Sequence, residues 1–482
     1  MKRQTFSLLL FFLCVFQYIT AQTDLPTDYL SPAFHESRRQ ALRELLPEQS
    51  VAVIFSYPVR KFSNDVDYIY HANPDMYYFT GYREPHAVLL IFKESQTSTT
   101  GDNYKELFFV QERNEQAERW TGRRLGAEGV RKQLGIQNVY TGEEFADFPI
   151  NFSAIKKVVT PGFPDDVADS RWDKADLFDL IQQFKTKSNY KETDHKQFDK
   201  NLFFHLTGQL REIKTPEELV LIRKAVEISC MGQNEVMKAV KPGMSELEIQ
   251  GLHEFVHKKY GAEAVGYGSI VGSGENGCIL HYMENTRTRV GNDLILMDVG
   301  AQYHGYTADV TRTIPANGTF SAEERAIYQL VYNAQEAAFE ILKDGASFSE
   351  ASDAAKEVIA DGLLKLNIIK NKEDVSKYYP HGLLHHIGLD VHDRNFSKTM
   401  KQGMVITIEP GIYIPSDSDC DKKWWGIAVR IEDDVLIRKN DYELLSIYSP
   451  RKIEDIEKMI AQISALDDFV LPPLKSGEKK AF

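Results

Sequence analysis

DLILMDVGAQYHGYTADVTRT, residues 293–313, holds two apolar, β-branched runs on either side of a turn around Tyr303, His304 and Gly305. Such a pattern predicts a β-hairpin. With the turn centred between Tyr303 and His304, Asp298 falls opposite Asp309. Opposed residues bring their β-carbons within about 5.5 Å, and like charges so placed destabilise a sheet. Two aspartates on otherwise apolar strands therefore ask for a cation, unless one of them faces water or caps a turn.

Three further stretches carry groups of the same chemistry. HGLLHHIGLDVHD, residues 381–393, places His381, His385 and His392 at spacings that one helix face could collect. Gly382 and Gly388 would each cost about 1 kcal/mol inside a helix, so a glycine-bent loop or strand is expected. The HExxH zinc pattern needs a glutamate after its first histidine, and Gly382 occupies that place. MVITIEPG (404–411) and GIAVRIEDDVLI (426–437) set Glu409 and Glu432 at the end of, or within, apolar strand patterns. An ionised carboxylate is not tolerated there without a partner. Arg430 and Glu432 share a strand face by the two-residue period, which also admits a simple ion pair. Together, Asp298, Asp309, His385, Glu409 and Glu432 form a mainly oxygen donor set suited to Mn²⁺, Co²⁺ or Fe²⁺ and able to hold Zn²⁺. Four carboxylates balance two divalent ions. Two such ions about 3.5–4 Å apart would acidify a bridging water and polarise a carbonyl together.

The rest of the chain bounds the reading. At 482 residues it is about three times an ordinary domain of ~150, which suggests two or three domains. Hydrophobic residues at 43% and charged residues at 26% suit globular cores. A net charge of −13 repels phosphate backbones and anionic lipid, so nucleic acid is not an expected partner. Four scattered cysteines (Cys14, Cys230, Cys278, Cys420) make neither a disulfide framework nor a paired-cysteine zinc site. Lys2 and Arg3 precede an apolar run over 8–16 and then small and polar residues, the layout of an export signal over 1–22. That run is too short to span a bilayer, and no other stretch reaches ~20 apolar residues. The expected product is an exported chain, periplasmic or extracellular, with no membrane insertion of its mature part.

Strand-like runs at 50–56, 87–92 and 107–110 alternate with polar pieces, predicting an α/β domain over 23–200. The polar stretch between Phe184 and Asn201 reads as exposed connecting structure. Thr215, Pro216 and Glu218 start a helix with a capping box, as do Ser245 with Glu248 and Ser321 with Glu324, inside a second domain over 201–465. Residues 466–482 read as a disordered tail.

The order Asp298, eleven residues later Asp309, then His385, Glu409 and Glu432 resembles the dinuclear metallopeptidases of pita-bread fold, a group including methionine aminopeptidase, prolidase, creatinase and aminopeptidase P. The aminopeptidase P family, the Xaa-Pro aminopeptidases, is the best match. YYFTGYREP (77–85) and RWTGRRLG (119–126) are similar to its N-terminal domain, and VGSGENGCILHY (271–282) and residues 426–434 to its catalytic domain. The resemblance implies an α/β N-terminal domain followed by an α+β pita-bread catalytic domain. It implies that Asp298 holds one metal, Asp309 and Glu432 bridge two, and His385 and Glu409 hold the second, with Mn²⁺ first among Mn²⁺, Co²⁺, Zn²⁺ and Fe²⁺. His281, His381 and His392 match histidines that position the substrate carbonyl and handle protons; Tyr413 and Arg430 match residues that support the metal ligands. The reaction implied is attack of a bridging hydroxide on the first carbonyl of Xaa-Pro-Yaa, with Glu409 passing the proton to the prolyl nitrogen. Proline-containing peptides are the implied substrates, and a homodimer or homotetramer the implied assembly.

Other readings compete. Gly272, Gly274 and Gly277 form a GxGxxG, but the dinucleotide fingerprint needs a helix immediately after it, and no capped amphipathic pattern follows. A non-catalytic binding module or a metal-free creatinase-type enzyme should lack ligands, and all five are present. Prolidase shares the metal set and is separated from aminopeptidase P by cutting dipeptides only.

Overall fold

The strand Ser50–Phe55 is apolar throughout because both of its faces are covered. Val51, Val53 and Phe55 enter a core with Phe109, Phe145 and Phe184, whereas Ala52 and Ile54 enter another with Tyr78 and Phe79. The strand lies inside a six-stranded mixed sheet in the order Val139–Thr141, Asn103–Val110, Val88–Thr97, Ser50–Phe55, Lys157–Val159, Phe198–Asp199. These coordinates are a computed structural model that describes residues 26–98 and 101–467. The expected export segment (1–22) and residues 468–482 of the expected tail lie outside the described residues.

The core containing Ala52 and Ile54 continues into the second half of the chain through Leu221, Ile222, Tyr306 and Ile387. The two halves therefore share apolar contact. The expected exposed connection between Phe184 and Asn201 is more structured than its composition suggests. The helix Leu177–Lys187 runs into it, and Phe198–Asp199 adds the sixth strand, parallel to Lys157–Val159. Phe198 is buried, and Asp199 caps the helix Lys200–Arg211 by accepting from the Leu202 N–H at 2.9 Å. A two-residue edge strand is too short to show any period.

The predicted helix starts are present. Capping boxes close at Thr215–Glu218, Ser245–Glu248 and Ser321–Glu324, and a further one at Ser347–Glu350. The helices Pro216–Ala239 and Glu246–Lys259 pack together, as do Ala322–Phe339 and Phe348–Lys365. They cover two small antiparallel sheets: Ile270–Ser273, Leu294–Val299 and Val310–Pro315 in one, Val405–Ile408, Asp433–Ile437 and Tyr442–Leu444 in the other. On Leu294–Val299, Ile295 and Met297 point into the main core with Val331 and Ile406, and Leu296 turns to the opposite face beside Tyr413 and Ala428. By the two-residue period Asp298 shares that second face.

The hairpin register differs from the sequence expectation. Asp298 pairs with Thr311, and Tyr303 with Tyr306, so the turn is the two residues His304–Gly305. Both have positive φ, 49° and 86°, as a type I′ turn requires. Centring the turn one residue earlier had placed Asp298 directly opposite Asp309. The aspartates instead lie diagonally on one face, which keeps both side chains together. The GxGxxG glycines lead only into a short 3₁₀ turn, Gly274–Cys278, with no α-helix before Leu294–Val299. A dinucleotide fold is excluded.

Candidate metal centre

Asp298, Asp309, Glu432 and Glu409 reach one space from four different backbone settings. Asp298 is near the end of Leu294–Val299, Asp309 lies just before Val310–Pro315, Glu409 directly follows Val405–Ile408, and Glu432 sits between Ile427–Arg430 and Asp433–Ile437. His385 arrives on the irregular segment 381–393, which forms no helix, as its glycines predict. Its Nε2 lies 3.5 Å from Asp309 Oδ2, 3.5 Å from Glu409 Oε1 and 4.0 Å from Glu432 Oε1. One donor atom from each of Asp309, His385 and Glu432 falls within 4.8 Å of the others.

Two features show that this cluster fits a cation. Tyr267 Oη lies 2.5 Å from Asp298 Oδ1 and 2.5 Å from Asp309 Oδ1. A phenol has one hydrogen, so it satisfies one carboxylate and confronts the other with a lone pair. His385 makes a 3.1 Å contact from Nδ1 to the His386 carbonyl, which only an Nδ1–H can satisfy. Its Nε2 is thereby aimed at three carboxylates, an arrangement that needs a cation between them, either a proton on Nε2 or a metal that replaces it.

The electrostatics agree. Burial raises the Asp298 carboxyl despite Arg430, raises Glu432 well above the carboxylate range, and pushes Glu409 up to about 8. Burial works against Asp309 as well, but His385 holds it low, and Asp309 in turn lifts His385 to about 9 against the effect of burial. These four carboxylates cannot all ionise in so small a dry space without added positive charge.

A hydrogen-bonded chain supports the centre. Arg430 Nη2 donates to Asp298 Oδ2 at 2.5 Å and Nη1 to Tyr413 Oη at 2.8 Å. Tyr413 lies 2.8 Å from His381 Nε2, and His381 Nδ1 lies 2.8 Å from the Gly382 carbonyl. His381 must therefore donate from Nδ1 and accept from Tyr413 at Nε2. Burial, helped by Arg430, lowers it to about 4, so the ring is neutral near pH 7. The His392 ring is 4.3 Å from that of His385, and His281 lies near enough to act on both His381 and His392. All ten residues singled out in the sequence thus converge on one region, His281 at its exposed margin. Tyr413→Phe is expected to leave the fold intact and lower kcat about 10- to 100-fold, because His381 and Arg430 both lose their common partner; steady-state kinetics and circular dichroism together check this.

Sequence reasoning missed three supports. Tyr267 bridges the two aspartates from 31 residues before Asp298, and Thr311 Oγ1 donates to Glu432 Oε2 at 2.6 Å. Asp434 Oδ2 accepts from the Asp309 N–H at 3.0 Å and is fully buried. None of the three had a local signal, since each joins segments far apart in the sequence.

Comparison with known proteins gives a consistent result. Residues 220–439 match metallopeptidase family M24, and residues 35–158 match the N-terminal domain of aminopeptidase P. The chain is 35% identical over 442 residues to the Xaa-Pro aminopeptidase of Escherichia coli, covering 88% of this chain and 97% of that protein. It is 31% identical over 431 residues to the mitochondrial intermediate cleaving peptidase 55 of Arabidopsis thaliana, covering 88% and 82%. A solved structure of E. coli aminopeptidase P with the inhibitor Pro-Leu superposes with a TM-score of 0.78 at 32% identity, covering 90% of this chain and 98% of that one.

Proposed function

Because the chain belongs to the aminopeptidase P family of Xaa-Pro aminopeptidases, within the M24 metallopeptidases, we propose that it releases the first residue from Xaa-Pro-Yaa peptides. The observation that carries this reading is the set of four buried or half-buried carboxylates around His385, with Arg430, Tyr413 and His381 behind them.

Asp298 would hold one divalent ion, His385 and Glu409 a second, and Asp309 and Glu432 both. When bound, the ions would supply Lewis-acid polarisation of the scissile carbonyl and an acidified water. The remaining steps belong to side chains. Glu409 takes a proton from the attacking water and delivers it to the prolyl nitrogen as the C–N bond breaks. His281 and His392 would stabilise charge on the carbonyl oxygen, while His381, neutral and with both ring nitrogens engaged by Tyr413 and the Gly382 carbonyl, fixes the Tyr413 hydroxyl beside Arg430. Arg430 favours the ionised form of Asp298 and orients it. The prolyl nitrogen carries no hydrogen, so recognition of proline rests on pocket shape instead of a backbone hydrogen bond.

Mn²⁺ leads the proposed ions because the donors are mostly oxygen, with Co²⁺, Zn²⁺ and Fe²⁺ as alternatives. Export is supported by the charged and then apolar residues 2–21, and no helix among the described residues is long and apolar enough to cross a membrane. A homodimer or homotetramer and a domain boundary near residue 200 complete the proposal.

The test is hydrolysis of Xaa-Pro-Yaa and of Xaa-Pro by the full chain before and after chelation. The expected result is release of free Xaa from the tripeptide, abolished by chelation and restored by Mn²⁺. Cleavage confined to the dipeptide would overturn the assignment in favour of prolidase chemistry.

A further inference from the structure

The strand Ala264–Val265 pairs on one side only, with Ala301–Tyr303, and its other edge has no strand partner among the described residues. Bonded and non-bonded pairs alternate along an antiparallel ladder. The Gly266 N–H donates to the Gly300 carbonyl at 2.8 Å, so Val265, opposite Ala301, falls at a non-bonded pair. Ala301 spends its own groups elsewhere: its N–H donates to Ser229 Oγ at 2.9 Å, and its carbonyl accepts from the Ala308 N–H at 3.1 Å. The Val265 N–H and carbonyl therefore face the free edge.

That edge borders open space that extends to His392, whose ring is 4.3 Å from that of His385. Val265 lines a cavity of about 1190 Å³ between the two halves of the chain. Gly266 lines a neighbouring cavity of about 310 Å³ whose wall includes His392. His71, Gln302 and Leu389 line both, so the two spaces adjoin. One residue beyond Gly266, the Tyr267 hydroxyl contacts Asp298 and Asp309.

We propose that the free edge at Val265 binds the backbone of the substrate's third residue, Yaa, as an added antiparallel strand. This rests on the Xaa-Pro-Yaa reading above. An enzyme that removes one residue has a single residue before the scissile bond, so a long channel leading from the centre can hold only the part after it. The strand runs from Ala264 toward the centre and the peptide runs away from it, which makes the two antiparallel. Parity then accounts for proline. Residue two lies opposite Gly266, whose N–H is turned inward to Gly300, so no N–H is needed there. Residue three lies opposite Val265 and exchanges both hydrogen bonds with it. Binding through backbone groups makes the site tolerant of the Yaa side chain.

The test uses pentapeptides Xaa-Pro-Yaa-Zaa-Zaa with the native full chain: unmodified, N-methylated at Yaa, and N-methylated at the fourth residue. Methylation at Yaa is expected to raise KM roughly 3- to 10-fold, the worth of one backbone hydrogen bond, and methylation at the fourth residue less than about 2-fold. Val265→Pro removes the outward N–H without touching the inner ladder, and should raise KM for the unmodified peptide by a similar factor while shrinking the penalty of Yaa methylation. If that variant does not fold, the substrate series on the native chain decides alone. Normal cleavage with no penalty at Yaa, or equal penalties at both positions, would overturn this inference only. Failure to cleave the unmodified peptide would overturn the proposed function and this inference with it.

Discussion

Asp309→Asn is expected to lower kcat/KM for an Xaa-Pro-Yaa peptide by about 10³-fold or more, since bound metal supplies several kcal/mol of transition-state stabilisation. Asp309 is the residue whose loss the centre can least absorb. Its Oδ2 faces His385 Nε2 at 3.5 Å, its Oδ1 takes the Tyr267 contact at 2.5 Å, and its backbone N–H is fixed by Asp434. The amide keeps the shape and removes the charge, so circular dichroism should stay native while metal content falls. Retention of more than a tenth of native activity would show that Asp309 is not a ligand.

Arg312→Met should destabilise the catalytic half by about 3–5 kcal/mol, the usual result of stripping one partner from a buried ion pair. Arg312 is fully buried and its five N–H groups meet five acceptors. Nη2 donates to Asp433 Oδ1 at 2.7 Å and to the Ser449 carbonyl at 3.0 Å; Nη1 donates to the Thr311 and Glu432 carbonyls at 2.9 and 2.7 Å; Nε donates to the Pro450 carbonyl at 3.0 Å. The substitution leaves Asp433 with the Arg451 guanidinium at 3.5 Å and the Gln335 amide at 2.9 Å, and frees the Glu432 carbonyl. Urea unfolding followed by tryptophan fluorescence measures the effect, and a change below about 1 kcal/mol would show that Arg451 and Gln335 suffice to hold Asp433.

Much of this architecture was legible from local signals. The three capping boxes mark helix starts by reciprocal hydrogen bonds between residues three apart, which a sequence displays directly. The carboxylates at 298, 309, 409 and 432 stand out because charge inside an apolar strand pattern needs compensation. The glycines at 382 and 388 correctly argue against a helix there. What could not be read depends on contacts between distant segments. The hairpin register hinges on which two residues take positive φ, and His304 is a less obvious candidate for that conformation than glycine. Tyr267 joins Asp298 and Asp309 only because a two-residue strand delivers it, and Phe198–Asp199 extends the N-terminal sheet with equally little pattern to announce it.

Neutralisation by divalent cations would explain why these acidic groups gather in one buried space. Titration of the metal-stripped full chain with Mn²⁺, with bound metal and Xaa-Pro-Yaa hydrolysis followed on the same samples, tests it most directly. Two ions are expected to bind per chain, with activity returning as they do. Undiminished hydrolysis in the stripped protein, with no Mn²⁺ taken up, would contradict it.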